Sequence, residues 1–313
     1  MRRQIAALVA VTLGALATDV VALSNSAKVP ILTYHPHTVE GCTYETNDLI
    51  ALATDLNTLH DQGFTVVPAY WIAEWVRRDR DGSTLPEKVV GLTFDDGADI
   101  TWVDEVNCGA STSAKTVLAN FKAAHPSLPW YSPHAAIFVI ASQLARGHIG
   151  SAAGTTLSSS WWYAAQNSGF TEVYNHSTDH DHVSITSQEY DPFLLRYIPA
   201  TGYADNKWYG ENDFTRVTNY QSADAEVKQA AAFIAGMIGV WPDLFAYPFG
   251  PTDPYLQNTY FPNYWSEHQT YAAFCGDNNY ATRDSPVYCI PRFVFRSGWS
   301  SSAAFQNILA GAP

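Results

Sequence analysis

Val89-Val90-Gly91-Leu92-Thr93-Phe94-Asp95-Asp96-Gly97 is a nearly unbroken apolar run that ends in two carboxylates and a glycine. Apolar residues without alternation read as a strand buried on both faces, as in a parallel sheet covered by helices. Adjacent residues at a strand end point to opposite sides unless the chain turns. Gly97 permits that turn. The pair then offers one metal ligand and one separate base, although Asp-Asp-Gly alone is also an ordinary turn sequence.

Outward from this run, similar apolar, β-branched or aromatic segments recur at residues 29–33, 64–68, 135–140, 171–175, 244–247, 271–274 and 289–295. Amphipathic helical patterns cover 47–60 and 71–78, and a later helix is expected over 223–239, with Pro242 beyond its end. Strand–helix alternation predicts an α/β chain with a parallel sheet. Eight candidate strands in one stretch suit a single (β/α) barrel better than two domains. Residues 187–222 fit no strand–helix step. They carry Tyr190, Phe193, Arg196, Trp208 and Tyr209, and read either as a long loop at the barrel mouth or as a surface insertion.

The chain has 313 residues, 47% hydrophobic and 15% charged, with a formal net charge of −13. Those fractions exclude a disordered chain. The acidic balance argues against a nucleic-acid partner, because phosphates need a Lys/Arg surface. Ten Trp and 18 Tyr suit either sugar stacking or ordinary packing. Arg2 and Arg3 precede an apolar run over 5–17, followed by small-residue sites at Ala15-Leu16-Ala17 and Ala22-Leu23-Ser24. The run is short for a membrane span, which needs roughly 20 residues. It reads as a signal peptide over 1–24, ahead of one domain over 25–313, and predicts a secreted or periplasmic protein. An uncleaved anchor is the competing reading, and no second span is expected. Export puts Cys42, Cys108, Cys275 and Cys289 in an oxidising compartment. Four cysteines allow three pairings. The expectation is Cys275–Cys289, near neighbours in sequence, and Cys42–Cys108, with free thiols as the alternative.

Two further signals follow candidate strands. His176-Ser177-Thr178-Asp179-His180 spaces two imidazoles at i and i+4, which converge if the segment makes a helical turn and then suit Zn²⁺ or a similar ion. Asp179 and His182 lie nearby as spectators or supporting partners. Phe245-Ala246-Tyr247-Pro248-Phe249-Gly250 runs from a strand into a Pro/Gly turn that can aim a backbone N–H into a pocket. In a (β/α) barrel, functional groups collect at the C-terminal strand ends, where all three signals fall. Asp96, His176 and His180 then give three protein ligands and leave an open position. Asp95 stays free to act as base.

In that order, T-F-D-D-G, H-S-x-x-H and F-A-Y-P-F-G resemble the polysaccharide deacetylases of carbohydrate esterase family 4, the NodB-homology fold. Val29 to His35, Leu85-Pro86 and Ile290-Pro291-Arg292 resemble its poly-N-acetylglucosamine deacetylase branch. The resemblance implies a distorted (β/α) barrel of about seven to eight strands and metal-dependent hydrolysis of glycan N-acetyl groups. Carried over by position, Asp95 matches the general base, and Asp96, His176 and His180 match the ligands of a divalent metal, Zn²⁺ first, with Co²⁺ or Ni²⁺ as alternatives. Phe249, where the family usually has Tyr, sits where a backbone N–H helps hold the oxyanion. Ala246 stands where many members have an Arg that tunes the base, and Arg292 is the candidate replacement, with a structural bridging role as the other reading. The family's late L-x-H, whose His protonates the leaving amine, is missing near 305–309. His35 is the expected acid, with His37 and His182 as rivals. The implied partner is an acetylated polysaccharide or oligosaccharide. An O-deacetylase and a non-catalytic carbohydrate-binding barrel are the alternatives.

Overall fold

The run 89–94 is strand β3 (Val89–Phe94), with every residue buried. The computed structural model describes residues 22–180 and 217–312, together with the backbone of Gln188–Asp191 and Arg196–Pro199. Strand β3 pairs in parallel with β1 (Ile31–Tyr34), and its first half pairs with β2 (Thr65–Val67). A small antiparallel hairpin, β4 (Glu105–Asn107) and β5 (Ala110–Thr112), follows it. On its other side the sheet continues through β6 (Ala135–Val139) and β7 (Thr171–Asn175). A second hairpin, β8 (Gln188–Asp191) and β9 (Arg196–Pro199), stands apart from the barrel sheet. The sheet then runs through β10 (Leu244–Ala246), β11 (Ala272–Cys275) and β12 (Ile290–Pro291), while β13 (Phe293–Val294) pairs with β1. Only Arg292 separates β12 from β13, so one run leaves β11 and joins β1. Taking that run as one strand, eight parallel strands form a nearly closed barrel, as the alternation predicts.

Strand alternation splits the core in two. Leu32, Val90, Leu92, Ile137 and Val173 face outward, under helices that include α1 (Asp48–Asp61) and the C-terminal helix Ser302–Gly311. Ile31, Val89, Phe138, Leu244, Ala272 and Ile290 fill the interior, together with Ile72 and Val76 of α2 (Ala69–Arg77). Helix α2 therefore plugs the N-terminal end of the barrel. The C-terminal end is left for polar groups. At the start of α1, Asn47 Oδ1 accepts the N–H groups of Leu49 and Ile50 at 3.0 and 3.3 Å, a cap worth about 1 kcal/mol.

Both expected disulfides form, Cys42–Cys108 and Cys275–Cys289. The first ties the loop after β1 to the β4–β5 turn; the second ties β11 to the residue before β12. Three expectations need correction. Residues 187–222 are not one loop: they contain the β8–β9 hairpin and end in the short helix Tyr220–Ala223. The helix expected over 223–239 opens with a π-helical segment, Asp224–Gln229, before α-helix Ala230–Ile238. His176 to His180 is not a helical turn. Residues 1–21, which hold most of the expected signal peptide, lie outside the described residues. Leu23 is buried and donates its N–H to Leu85 O at 3.2 Å, so packing begins ahead of the expected boundary at residue 25.

Candidate active site

Asp95 and Asp96 leave the end of β3 into one cavity because the chain turns at once. Asp96 takes φ 70° and Gly97 φ 73°. A Cβ on Gly97 would meet Val139 Cγ1 at 2.7 Å, so only glycine fits this turn. His176 follows β7, and left-handed Ser177 (φ 72°) and His180 (φ 57°) bend the segment until both imidazoles face β3. The Nε2 atoms of His176 and His180 each lie 3.4 Å from Asp96 Oδ1. The three potential ligand atoms fall within 4.8 Å of one another, and all three residues are buried.

These residues fit a divalent cation. His176 Nδ1 lies 2.9 Å from Ala246 O. A carbonyl only accepts, so Nδ1 carries a proton and Nε2 is the nitrogen that faces Asp96. Burial lowers the His180 pKa to about 3, against the pull of Asp96, so its ring is neutral. Two imidazole nitrogens and a carboxylate oxygen, close together and buried, are a donor set that suits such a cation.

The other carboxylate is held differently. Arg292, at the seam between β12 and β13, donates from both terminal nitrogens to the two oxygens of Asp95 at 2.7 and 2.8 Å. Both residues are buried. Burial would raise the Asp95 pKa, but the Arg292 charge outweighs it and holds the carboxyl below its ordinary value. Arg292 thus stands against Asp95 although its sequence position is far from Ala246.

His35 and His37, after β1, flank the same carboxylate, with Nε2 atoms 3.9 and 3.8 Å from Asp96 Oδ2. Their exposure differs: the His35 side chain is 30% accessible and that of His37 is 2%. Burial also lowers the His37 pKa to about 4. His182 lies outside the described residues. Phe249 adopts a left-handed backbone (φ 63°) and sets its ring 4.3 Å from that of His180.

One group was not legible in the sequence. Asp48 Oδ2 accepts the backbone N–H of His35 at 2.8 Å, while its Oδ1 lies 3.3 Å from Arg296 Nε. Arg296 also pairs with Glu40 at 2.9 Å. Burial pushes the Asp48 pKa up to about 6, against the pull of His35 and Arg296. Asp48 looks like an ordinary first-turn acid, and no spacing rule links it to a residue so far along the chain.

Residues 82–260 match the family described as polysaccharide deacetylase. The chain belongs to that family. It is therefore a deacetylase, a hydrolase of acetylated polysaccharides. No curated protein matches the chain. Solved structures share the fold at low identity. The deacetylase PplD of Streptococcus pyogenes, in complex with acetate, is 14% identical over 92% of this chain and 99% of its own, with a TM-score of 0.57. The polysaccharide deacetylase BC0361 of Bacillus cereus is 17% identical over 91% of this chain and 69% of its own, with a TM-score of 0.55. IcaB of Ammonifex degensii is 17% identical over 91% and 97%, with a TM-score of 0.52. In this deacetylase, Asp95, Asp96, His35, His176, His180, Phe249 and Arg292 all line one cavity of about 560 Å³.

Proposed function

We propose that this deacetylase is exported and hydrolyses the N-acetyl groups of an N-acetylglucosamine-containing glycan, releasing acetate and leaving a free amine. The observation that carries the reading is the Asp95 carboxylate, kept ionised by Arg292 and opening into the same cavity as Asp96, His176 and His180. A binding protein has no use for such a base.

Asp96, His176 and His180 would hold the divalent ion, zinc in the first instance, with cobalt or nickel as alternatives. When bound, the ion supplies Lewis acidity toward the acetyl carbonyl and the attacking water. The chain supplies the rest. Asp95 accepts a proton from the water as its oxygen bonds to the acetyl carbon. The backbone N–H of Phe249 stabilises the oxyanion. His35 hands a proton to the leaving nitrogen as the C–N bond breaks. His35 suits this role better than His37 because it is open to the cavity, whereas His37 is buried and neutral. An amide needs that acid more than an ester does, which favours N- over O-deacetylation.

Two disulfides support export. Cleavage after Ala17, the earlier small-residue site, would keep the contact between Leu23 and Leu85. Among the described residues no helix is long and apolar enough to cross a membrane. The test is an acetate-release screen over chitooligosaccharides, poly-β-1,6-N-acetylglucosamine, peptidoglycan and acetylxylan, with and without a chelator. Release from acetylxylan alone would replace this reading with the O-deacetylase one. Bound metal with no acetate from any substrate would sink both.

A further inference from the structure

The barrel has a second mouth. His134, Thr171 and Asp243 lie at the N-terminal ends of β6, β7 and β10, whereas Asp95 and His176 follow the C-terminal ends of β3 and β7. Beside the α2 plug these residues line a cavity of about 490 Å³, within the roughly 300–1,000 Å³ of small-ligand pockets.

Three features of this mouth bear on what it could hold. The first is an aromatic shelf. Trp71 and Tyr131 pack against the core and on each other at 4.7 Å between ring centroids, the Arg80 guanidinium lies 4.5 Å over the Trp71 ring, and Tyr131 sits 5.6 Å from Trp130 with the rings near perpendicular. Trp130 is 80% exposed, an indole left in water at the cavity rim. The second is acid without a counter-charge. Among the described residues neither Glu172 nor Asp243 has an ion-pair partner, and burial, with Glu172 nearby, raises the Asp243 pKa to about 7, so a cation beside it would favour its ionised form. The nearby Arg80 is taken by Glu74 at 2.7 Å. Glu172 is oriented by the Tyr174 hydroxyl, which donates to it at 2.6 Å. The third is His134, 7% exposed, whose Nδ1 has no hydrogen-bond partner among the described residues although it lines this cavity.

We propose that this mouth is a second glycan subsite, which holds a de-N-acetylated, ammonium-bearing hexosamine segment. Aromatic faces stack on the C–H faces of pyranose rings. Glu172 and Asp243 pair with ammonium groups, and His134 offers a hydrogen bond to a hydroxyl. An acetylated unit is neutral and gains no ion pair with Glu172 or Asp243, so the subsite prefers chain that has already reacted. The net charge of −13 adds long-range attraction for a polycation. A subsite of this kind keeps the enzyme near a partly processed polymer by raising its effective concentration. That the occupant is the enzyme's own product rests on the proposed function; the recognition chemistry does not.

The experiment is titration calorimetry of the full chain with glucosamine hexamers, β-1,4- and β-1,6-linked, and with their N-acetylated counterparts. Acetate release from an aryl acetate is measured in parallel. The wild type is expected to bind at least one glucosamine hexamer more tightly than its acetylated counterpart, and less tightly as salt is added. Trp130→Ala, at an exposed position, should weaken that binding about tenfold. Glu172→Gln combined with Asp243→Asn should abolish the preference for the free amine. Both variants should release acetate from the aryl ester at the wild-type rate. Equal affinity for amine and acetylated forms, no binding of either, or unchanged binding in Trp130→Ala overturns the subsite. Failure of the wild type to release acetate from any substrate would instead sink the deacetylation reading, and the calorimetry would still decide the subsite.

Discussion

Arg292 and Asp95 form a buried, two-pronged ion pair across the barrel, with nitrogen–oxygen distances of 2.7 and 2.8 Å. The planar guanidinium matches the carboxylate fork in a way Lys cannot. The arginine comes from the strand seam that closes the barrel, so closure of the fold and ionisation of the base depend on one residue.

Arg292→Met should therefore change both activity and stability. Without the guanidinium, burial is the dominant influence on Asp95 and raises its pKa. The base works only when deprotonated, so the acid limb of kcat/KM moves to higher pH. The loss in rate is then larger at pH 6 than at pH 9. Removing one partner of a buried pair also costs about 3–5 kcal/mol, read as a lowered Tm. Arg292→Lys keeps the charge and should fall between. An acid limb that does not move in Arg292→Met would show that the arginine only bridges strands.

The two aspartates should separate by metal content. His176→Ala leaves two protein ligands from the set of three and should lose metal and acetate release together. Asp95→Asn removes the proton acceptor but no ligand, so it should keep the metal and lose on the order of 10²–10⁴-fold in rate. Metal analysis beside acetate release checks both. Loss of metal in Asp95→Asn would mean that the roles given to Asp95 and Asp96 are wrong.

The disulfides should contribute unequally. Cys42–Cys108 spans a sequence separation of 66, and Cys275–Cys289 one of 14. In the loop-entropy picture the longer closure is worth about 4 kcal/mol and the shorter about 3. Denaturant unfolding of the two double-serine variants should rank them in that order. The reverse ranking would show that native contacts around Cys275 outweigh chain entropy.

The residues that carry local signals were readable in advance; the contacts between distant segments were not. The eight strand segments announce themselves as apolar runs because a strand covered on both faces has no polar side. Asp95, Asp96, His176 and His180 were legible because each sits just past such a run. The geometry that joins them departs from the sequence pattern at one point. His176 and His180 meet through left-handed backbone at Ser177 and His180, not through helical periodicity. The contact of Asp48 with Arg296 spans most of the chain and follows from barrel closure alone. The β8–β9 hairpin escaped because Tyr190 and Arg196 lie among charges and aromatics with no clean alternation.

A departing amine anion is a very poor leaving group, so amide hydrolysis needs a proton donor, while an activated aryl acetate departs without one. His35 stands at the cavity, its backbone N–H fixed by Asp48 and its Nε2 3.9 Å from Asp96 Oδ2. His37 is as close to Asp96 but buried. If His35 is the acid, His35→Ala should lose about 10²–10⁴-fold on an N-acetylglucosamine amide and far less on the aryl ester. Metal content should stay intact, because the ligand set of Asp96, His176 and His180 is untouched. His37→Ala should reduce both substrates alike, through loss of packing beside Asp96. His182→Ala should leave the ratio of the two rates where it is in the wild type. The comparison separates protonation from mere support, since a loosened site slows every substrate and a missing acid slows only the one that needs a proton. Equal losses on amide and ester in His35→Ala would make His35 a structural neighbour of the metal site, and the acid would have to be sought elsewhere.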